Sequence, residues 1–100
     1  MFNFFNNAIN NQNASTLTSG EKFEILQKAR QDLVGEIQAI IEYDNHIHSS
    51  NDKVANKTWE HIMQEELNHV GKLLVLIDYL DPSQKEFVES GIKEFNDEIK

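Results

Sequence analysis

Glu66 and His69 stand three positions apart, a spacing that makes them neighbours on one helix face. A carboxylate and a neutral imidazole together suit iron(II), manganese(II) or zinc. The Glu-x-x-His pair is part of the ligand set of carboxylate-bridged di-metal bundles. There, two such pairs and two further Glu project from four helices into one core. The further carboxylate here is Glu36. In the first long helix the apolar stripe of Leu33, Ile40 and Ile47 passes through Glu36 and Tyr43. In the second, the stripe from Ile62 to Leu73 passes through Glu66 and His69. An unpaired buried carboxylate is costly, so three ionisable groups at stripe positions call for a common partner. Tyr43 lies two turns beyond Glu36 on the same face, where its hydroxyl can hydrogen-bond a ligand.

One copy of the chain supplies one Glu-x-x-His and one further Glu, which is half the ligands and half the helices of such a bundle. Two copies related by a two-fold axis supply Glu36, Glu66 and His69 twice. The expectation is a homodimer with a di-metal centre between the copies, which one copy cannot complete. The rival reading keeps the same helices and makes Glu66 and His69 a satisfied polar pair that only fixes register, as in a structural or adaptor bundle. Glu36 then sits on a solvated edge. Glu-x-x-His alone is common in helices; stripe position and ligand count together favour metal. His46, His48 and His61 read as surface residues, Glu65 as facing away from the metal pair, and Trp59 as core.

The elements that position these residues are three helices. Thr18 and Glu21 have capping-box spacing, and Phe23, Leu26, Ala29, Leu33, Ile37, Ile40 and Ile47 then recur at helical intervals to about Ser49. Ser49 to Asp52 form a turn and cap a second helix over about 53–80. Its apolar residues are Ala55, Trp59, Ile62, Leu73, Ile77 and Leu80, widened by Met63, Val70 and Leu74. Asp81 as cap, Pro82 at the first position and Gln84 three residues on start a third helix to about Asn96, with Phe87, Ile92 and Phe95 as its apolar residues. The predicted fold is all-α: an antiparallel hairpin plus a short third helix over 19–97, dimerising into a four-helix bundle. Residues 1–18 hold six Asn and a Ser/Thr cluster, a composition that predicts a flexible tail. Phe2, Phe4 and Phe5 within it could serve as a docking peptide.

Composition narrows the partners. The chain has 100 residues, no Cys and a net charge of −8. A chain this short gains burial by association. The negative charge and the lack of a basic patch argue against nucleic acid and in favour of cations. Without Cys there are no disulfides and no thiolate ligands. No run approaches the roughly 20 apolar residues of a membrane span, and residues 1–13 lack the pattern of a secretory signal, so a cytoplasmic location is expected.

Glu36, then Tyr43-Asp44-Asn45, then Gln64-Glu65-Glu66-Leu67-Asn68-His69 give the stretch from about Glu24 to Leu80 its resemblance to encapsulated ferritin. That family is a ferritin-like protein cut down to one helical hairpin and a third helix. More distant rubrerythrin and bacterioferritin helices share the Glu-x-x-His logic. The resemblance implies a dimer with an iron pair at its interface, assembled into an annular decamer. It implies a ferroxidase that oxidises iron(II) with oxygen and delivers iron inside an encapsulin nanocompartment, whose shell protein is the implied partner. Glu36, Glu66 and His69 would be the iron ligands and Tyr43 the adjacent tyrosine; manganese, zinc or calcium could substitute. A rubrerythrin-like peroxidase is the related alternative. The chain departs from the family pattern at Gly35 and Gln38, where relatives carry carboxylates of an outer metal-entry site, with Glu42 further along as a partial replacement. It also ends Phe95-Asn96-Asp97-Glu98-Ile99-Lys100, without the Gly/Leu-rich cargo extension the family usually carries there.

Overall fold

Local capping chemistry sets where each helix begins. The computed structural model describes residues 16–100, and these form three α-helices. The expectations for the six Asn and for Phe2, Phe4 and Phe5 lie outside the described residues. Helix α1 is Ser19–Ser49. The Glu21 amide donates to the Thr18 hydroxyl and the Thr18 amide donates to the Glu21 carboxylate, so the capping box is complete. Helix α2, Lys53–Leu80, is capped by Asp52, which accepts from the Ala55 amide at 2.8 Å. Helix α3, Pro82–Glu98, is capped by Asp81, which accepts from the Gln84 amide, and it runs two residues past its expected end.

The first two helices pack along their length through a regular seam. Residues 26, 29, 33, 36, 40, 43, 47 and 50 of the first segment are buried or half-buried, at alternating spacings of three and four. So are residues 56, 59, 63, 66, 70, 73, 77 and 80 of the second. This is the heptad spacing of a coiled-coil seam. Near the turn the Asn56 side-chain Nδ2 donates to the Ser50 carbonyl and Trp59 meets His46. Midway, His69 meets Glu36. At the far end Leu26 and Ala29 pack with Ile77 and Leu80. Rising numbers on α1 therefore meet falling numbers on α2.

The seam corrects three expectations. Phe23 and Ile37 do not join it; both are exposed, because the alternating spacing runs through Leu26, Ala29 and Leu33 instead. Val70, rather than His69, takes the seam position after Glu66, so His69 lies on the flank. Phe87 and Phe95 of α3 are 78% and 60% exposed, so this helix leaves its apolar side uncovered.

Two flanks of the seam differ in character. Ile37, Leu67 and Leu74 each follow a seam residue, and with Val34 and Ile41 they make an exposed aliphatic flank. Asp32 and His69 each precede a seam residue and lie on the opposite, polar flank. At the corner between α2 and α3, Arg30 ties all three helices together. Its Nη2 donates to Gln84 Oε1 at 2.6 Å and to Asp81 Oδ2 at 3.2 Å, and its Nη1 donates to Gln27. Among the described residues no helix is long and apolar enough to cross a membrane.

Candidate metal centre

Glu36 and Glu66 occupy seam positions halfway along their helices, so packing directs both carboxylates toward the same layer. His69 is one turn beyond Glu66 on α2. Its Nδ1 lies 3.3 Å from Glu36 Oε1 and 3.7 Å from Glu66 Oε2. One donor atom from each residue lies within 4.8 Å of the others, the grouping expected of metal ligands. The two carboxylates are about four-fifths buried, with side-chain exposures of 21% and 20%, while His69 is 46% exposed. Three donors thus converge within one chain, from two helices.

The second oxygen of Glu36 is buried and has no hydrogen-bond partner. Desolvation penalises such an atom, and proteins normally give it a donor or a cation. Two carboxylate oxygens and one imidazole nitrogen suit iron(II), manganese(II) or zinc. The ligands open onto a groove of about 530 Å³ on the polar flank, lined by Gln31, Asp32, Gly35 and Lys72 among others. A Cβ added at Gly35 would meet no atom within 4 Å, so the chain itself supplies no packing reason for that glycine.

The remaining predicted residues fall elsewhere. Tyr43 is a half-buried seam residue whose ring meets His46 edge-on at 6.1 Å. It makes no hydrogen bond to Glu36, Glu66 or His69. Trp59 is half-buried and lies against His46 at 5.0 Å; His46 is exposed, as expected, and shares an aromatic group with Tyr43 and Trp59 at the turn end. His48, His61 and Glu42 are exposed. Glu65 is exposed and lines a second groove, which His69 also borders. Asp32 and Lys72 had not been singled out, although their spacings gave a signal: Asp32 is one turn before Glu36 and Lys72 one turn after His69.

Comparison of the chain with protein-family models, with curated proteins and with solved structures gives no significant match.

Proposed function

We propose that this chain is a ferroxidase subunit whose di-iron centre forms when two copies pair across the polar flank. The observation that carries the reading is the convergence of Glu36, Glu66 and His69, with one Glu36 oxygen buried and unpartnered. That atom and the mixed oxygen–nitrogen donor set fit a divalent cation of the iron, manganese or zinc type. One copy offers three protein donors. A symmetric second copy doubles them and lets carboxylates bridge two ions, as in carboxylate-bridged bundles.

Iron(II) is the substrate here: each ion gives up one electron, and oxygen is the acceptor. The chain's own part is to hold the ions. Glu36 and Glu66 neutralise their charge and His69 orients from the rim. Half-buried aliphatic seam residues, Leu33 and Ile40 on α1 and Leu73 on α2, flank the layer above and below. The acidic surface raises the local concentration of cations by steering.

The resemblance to encapsulated ferritin supports the same reading and extends it to a decameric ring inside an encapsulin shell. Two different exposed faces are consistent with a ring. The polar flank would pair copies through metal and the aliphatic flank through Val34, Ile37, Ile41, Leu67 and Leu74. Two separate interfaces per copy generate a closed ring or a filament.

Iron(II) oxidation, followed by absorbance under air, tests the activity. Glu66→Ala and His69→Ala are expected to lose more than the roughly 10–100-fold that disturbing an outer partner of a metal ligand costs. Parent-like rates in both variants would defeat the proposal. The contacts of His69 with both carboxylates also fit the rival, a polar layer that fixes register in a non-catalytic bundle. Aerobic loading with iron, manganese and zinc separates the two: the rival predicts a purified protein that retains no metal. Preference for peroxide over oxygen as oxidant would favour the peroxidase variant.

A further inference from the structure

Phe is among the side chains most often buried, yet no Phe of the described residues enters the core. The chain has six. Phe23, Phe87 and Phe95 are exposed, and Phe2, Phe4 and Phe5 fall in the segment that precedes the helices. On α3, Phe87, Gly91 and Phe95 are successive i, i+4 neighbours, flanked by Val88 and Ile92, so they form one uncharged stripe. Gly91 weakens a helix interior relative to Ala. A Cβ added there would meet no atom within 4 Å, so packing within the described chain does not account for it. Phe87 and Phe95 stand about 12 Å apart along the axis, which leaves room for a third ring over Gly91.

The placement of the helices says which segment can reach this gap. Arg30 of α1 holds Asp81 and Gln84, so the start of α1 and the start of α3 share one end of the helix pair. Phe23 lies seven residues before Arg30 on the same face and belongs to the flank that carries α3. From Ser19 to Arg30 α1 rises about 16 Å, and from Gln84 to Gly91 α3 rises about 10 Å. Residues 6–18, which join Phe5 to α1, span up to about 45 Å when extended. Residues 1–15 contain no Asp, Glu, Lys or Arg, so no charge has to be desolvated when they meet an apolar stripe.

We infer that the segment carrying Phe2, Phe4 and Phe5 docks on α3 of its own chain, with an aromatic ring seated over Gly91 between Phe87 and Phe95. Tethering decides between this occupant and a second copy. A segment on a short linker meets its site at an effective concentration in the millimolar range, which a free copy does not match in dilute solution. The inference is independent of the metal centre, which lies midway along α1 and α2.

The chain has no Cys, so Asn3→Cys gives one attachment point for a nitroxide, which broadens nearby nuclear magnetic resonance signals. In the full chain the amide signals of Val88, Gly91 and Ile92 should broaden, and that of Val54, beside the turn at the other end of the pair, should not. Undisturbed α3 signals, or equal broadening at Val54, overturn the docking. The labelled chain is also refolded together with isotopically enriched parent that carries no nitroxide. Broadening of α3 in the enriched parent would assign the segment to a second copy and overturn docking within one chain.

Gly91→Leu fills the gap and favours the helix, so α3 persists while broadening at Val88 is expected to fall to the level at Val54. Broadening that survives this substitution overturns the seat over Gly91. The triple variant Phe2→Ala, Phe4→Ala, Phe5→Ala should speed amide exchange from Val88 to Phe95 about tenfold, the lower end for one buried aromatic side chain. Exchange at the parent's rate would show that the Phe residues do not cover α3.

Discussion

At Glu36 one carboxylate oxygen touches His69 and the other is buried without a partner. Among the described residues nothing donates to that second oxygen. Glu36→Met removes both oxygens and keeps a side chain of similar length. The metal-free variant is expected to be more stable than the parent by about 1 kcal/mol, the lower end of the cost of an unsatisfied buried group. Manganese(II) should raise the melting temperature of the parent and leave that of Glu36→Met unmoved. Thermal unfolding with and without metal reads both effects, and a variant less stable than the metal-free parent would show that the oxygen is satisfied. Tyr43 gives the opposite expectation. Because its ring meets His46 and not the ligands, Tyr43→Phe should leave the metal-binding midpoint unchanged in a calorimetric titration. The grouping of Glu36, Glu66 and His69 was legible in the sequence as types and spacing. The flank position of His69 was not, because adjacent residues His69 and Val70 both satisfy a helical period, and only the heptad seam of α1 against α2 selects Val70.

At the scale of elements, the helix limits could be read closely because caps are local: Thr18 with Glu21, Asp52, and Asp81 with Pro82 each act within a few residues. The course of α3 could not be read this way. Its attachment depends on Arg30, which lies far away in sequence and reaches both Asp81 and Gln84. Hydrogen bonds from Ser83 and Gln84, and the Arg30 charge, hold Asp81 below the ordinary carboxylate value of 3.8. A depressed folded-state pKa adds stability above the unfolded value, and this is lost as pH falls through the folded one. Asp78, one turn earlier, behaves oppositely: burial raises its pKa, so its ionised form opposes folding at neutral pH and protonation relieves it. Below the ordinary carboxylate range α3 should therefore loosen at its start, seen as faster amide exchange in Gln84 and Lys85 than in the middle of α2. Asp78→Asn should raise the melting temperature at pH 7 and make no difference at acid pH. An Asp78→Asn variant with the parent's melting temperature at both would contradict the assignment.

The whole molecule is extended for its size. Its radius of gyration is 17.1 Å, against about 12–13 Å for a compact domain of similar length. Among the described residues only Leu26, Ala29, Ile77 and Leu80 are buried. Two faces await cover, and they can be tested separately. Gly35→Ala should stabilise a separate chain by about 1 kcal/mol through helix propensity alone, since the new methyl meets nothing. The same methyl would stand on the face where a second copy is proposed to close. Gly35→Ala is therefore expected to weaken metal-dependent pairing while raising the stability of the single chain. Ile37→Lys with Leu67→Lys should instead leave metal-linked pairs intact and abolish larger assemblies. Native mass spectrometry with and without iron distinguishes these outcomes; identical species for parent and both variants would count against two interfaces. The expectation of association came from the short length and the split ligand set. The sequence did not announce which aliphatic residues would be left uncovered, because apolar residues on the flank and in the seam differ by a single position.

The four buried side chains all lie at the end of the helix pair remote from the Ser50–Asp52 turn, and the layer of carboxylates divides that end from Trp59. The middle of the pair thus holds no fully buried side chain, and local opening there exposes few apolar contacts to proteases. On the proposed reading, a bound ion clamps that middle shut. Turnover of the protein then follows the metal supply: at a constant rate of synthesis, metal-starved cells hold less of it, and the chain's own abundance becomes a record of how much metal was on hand when it was made.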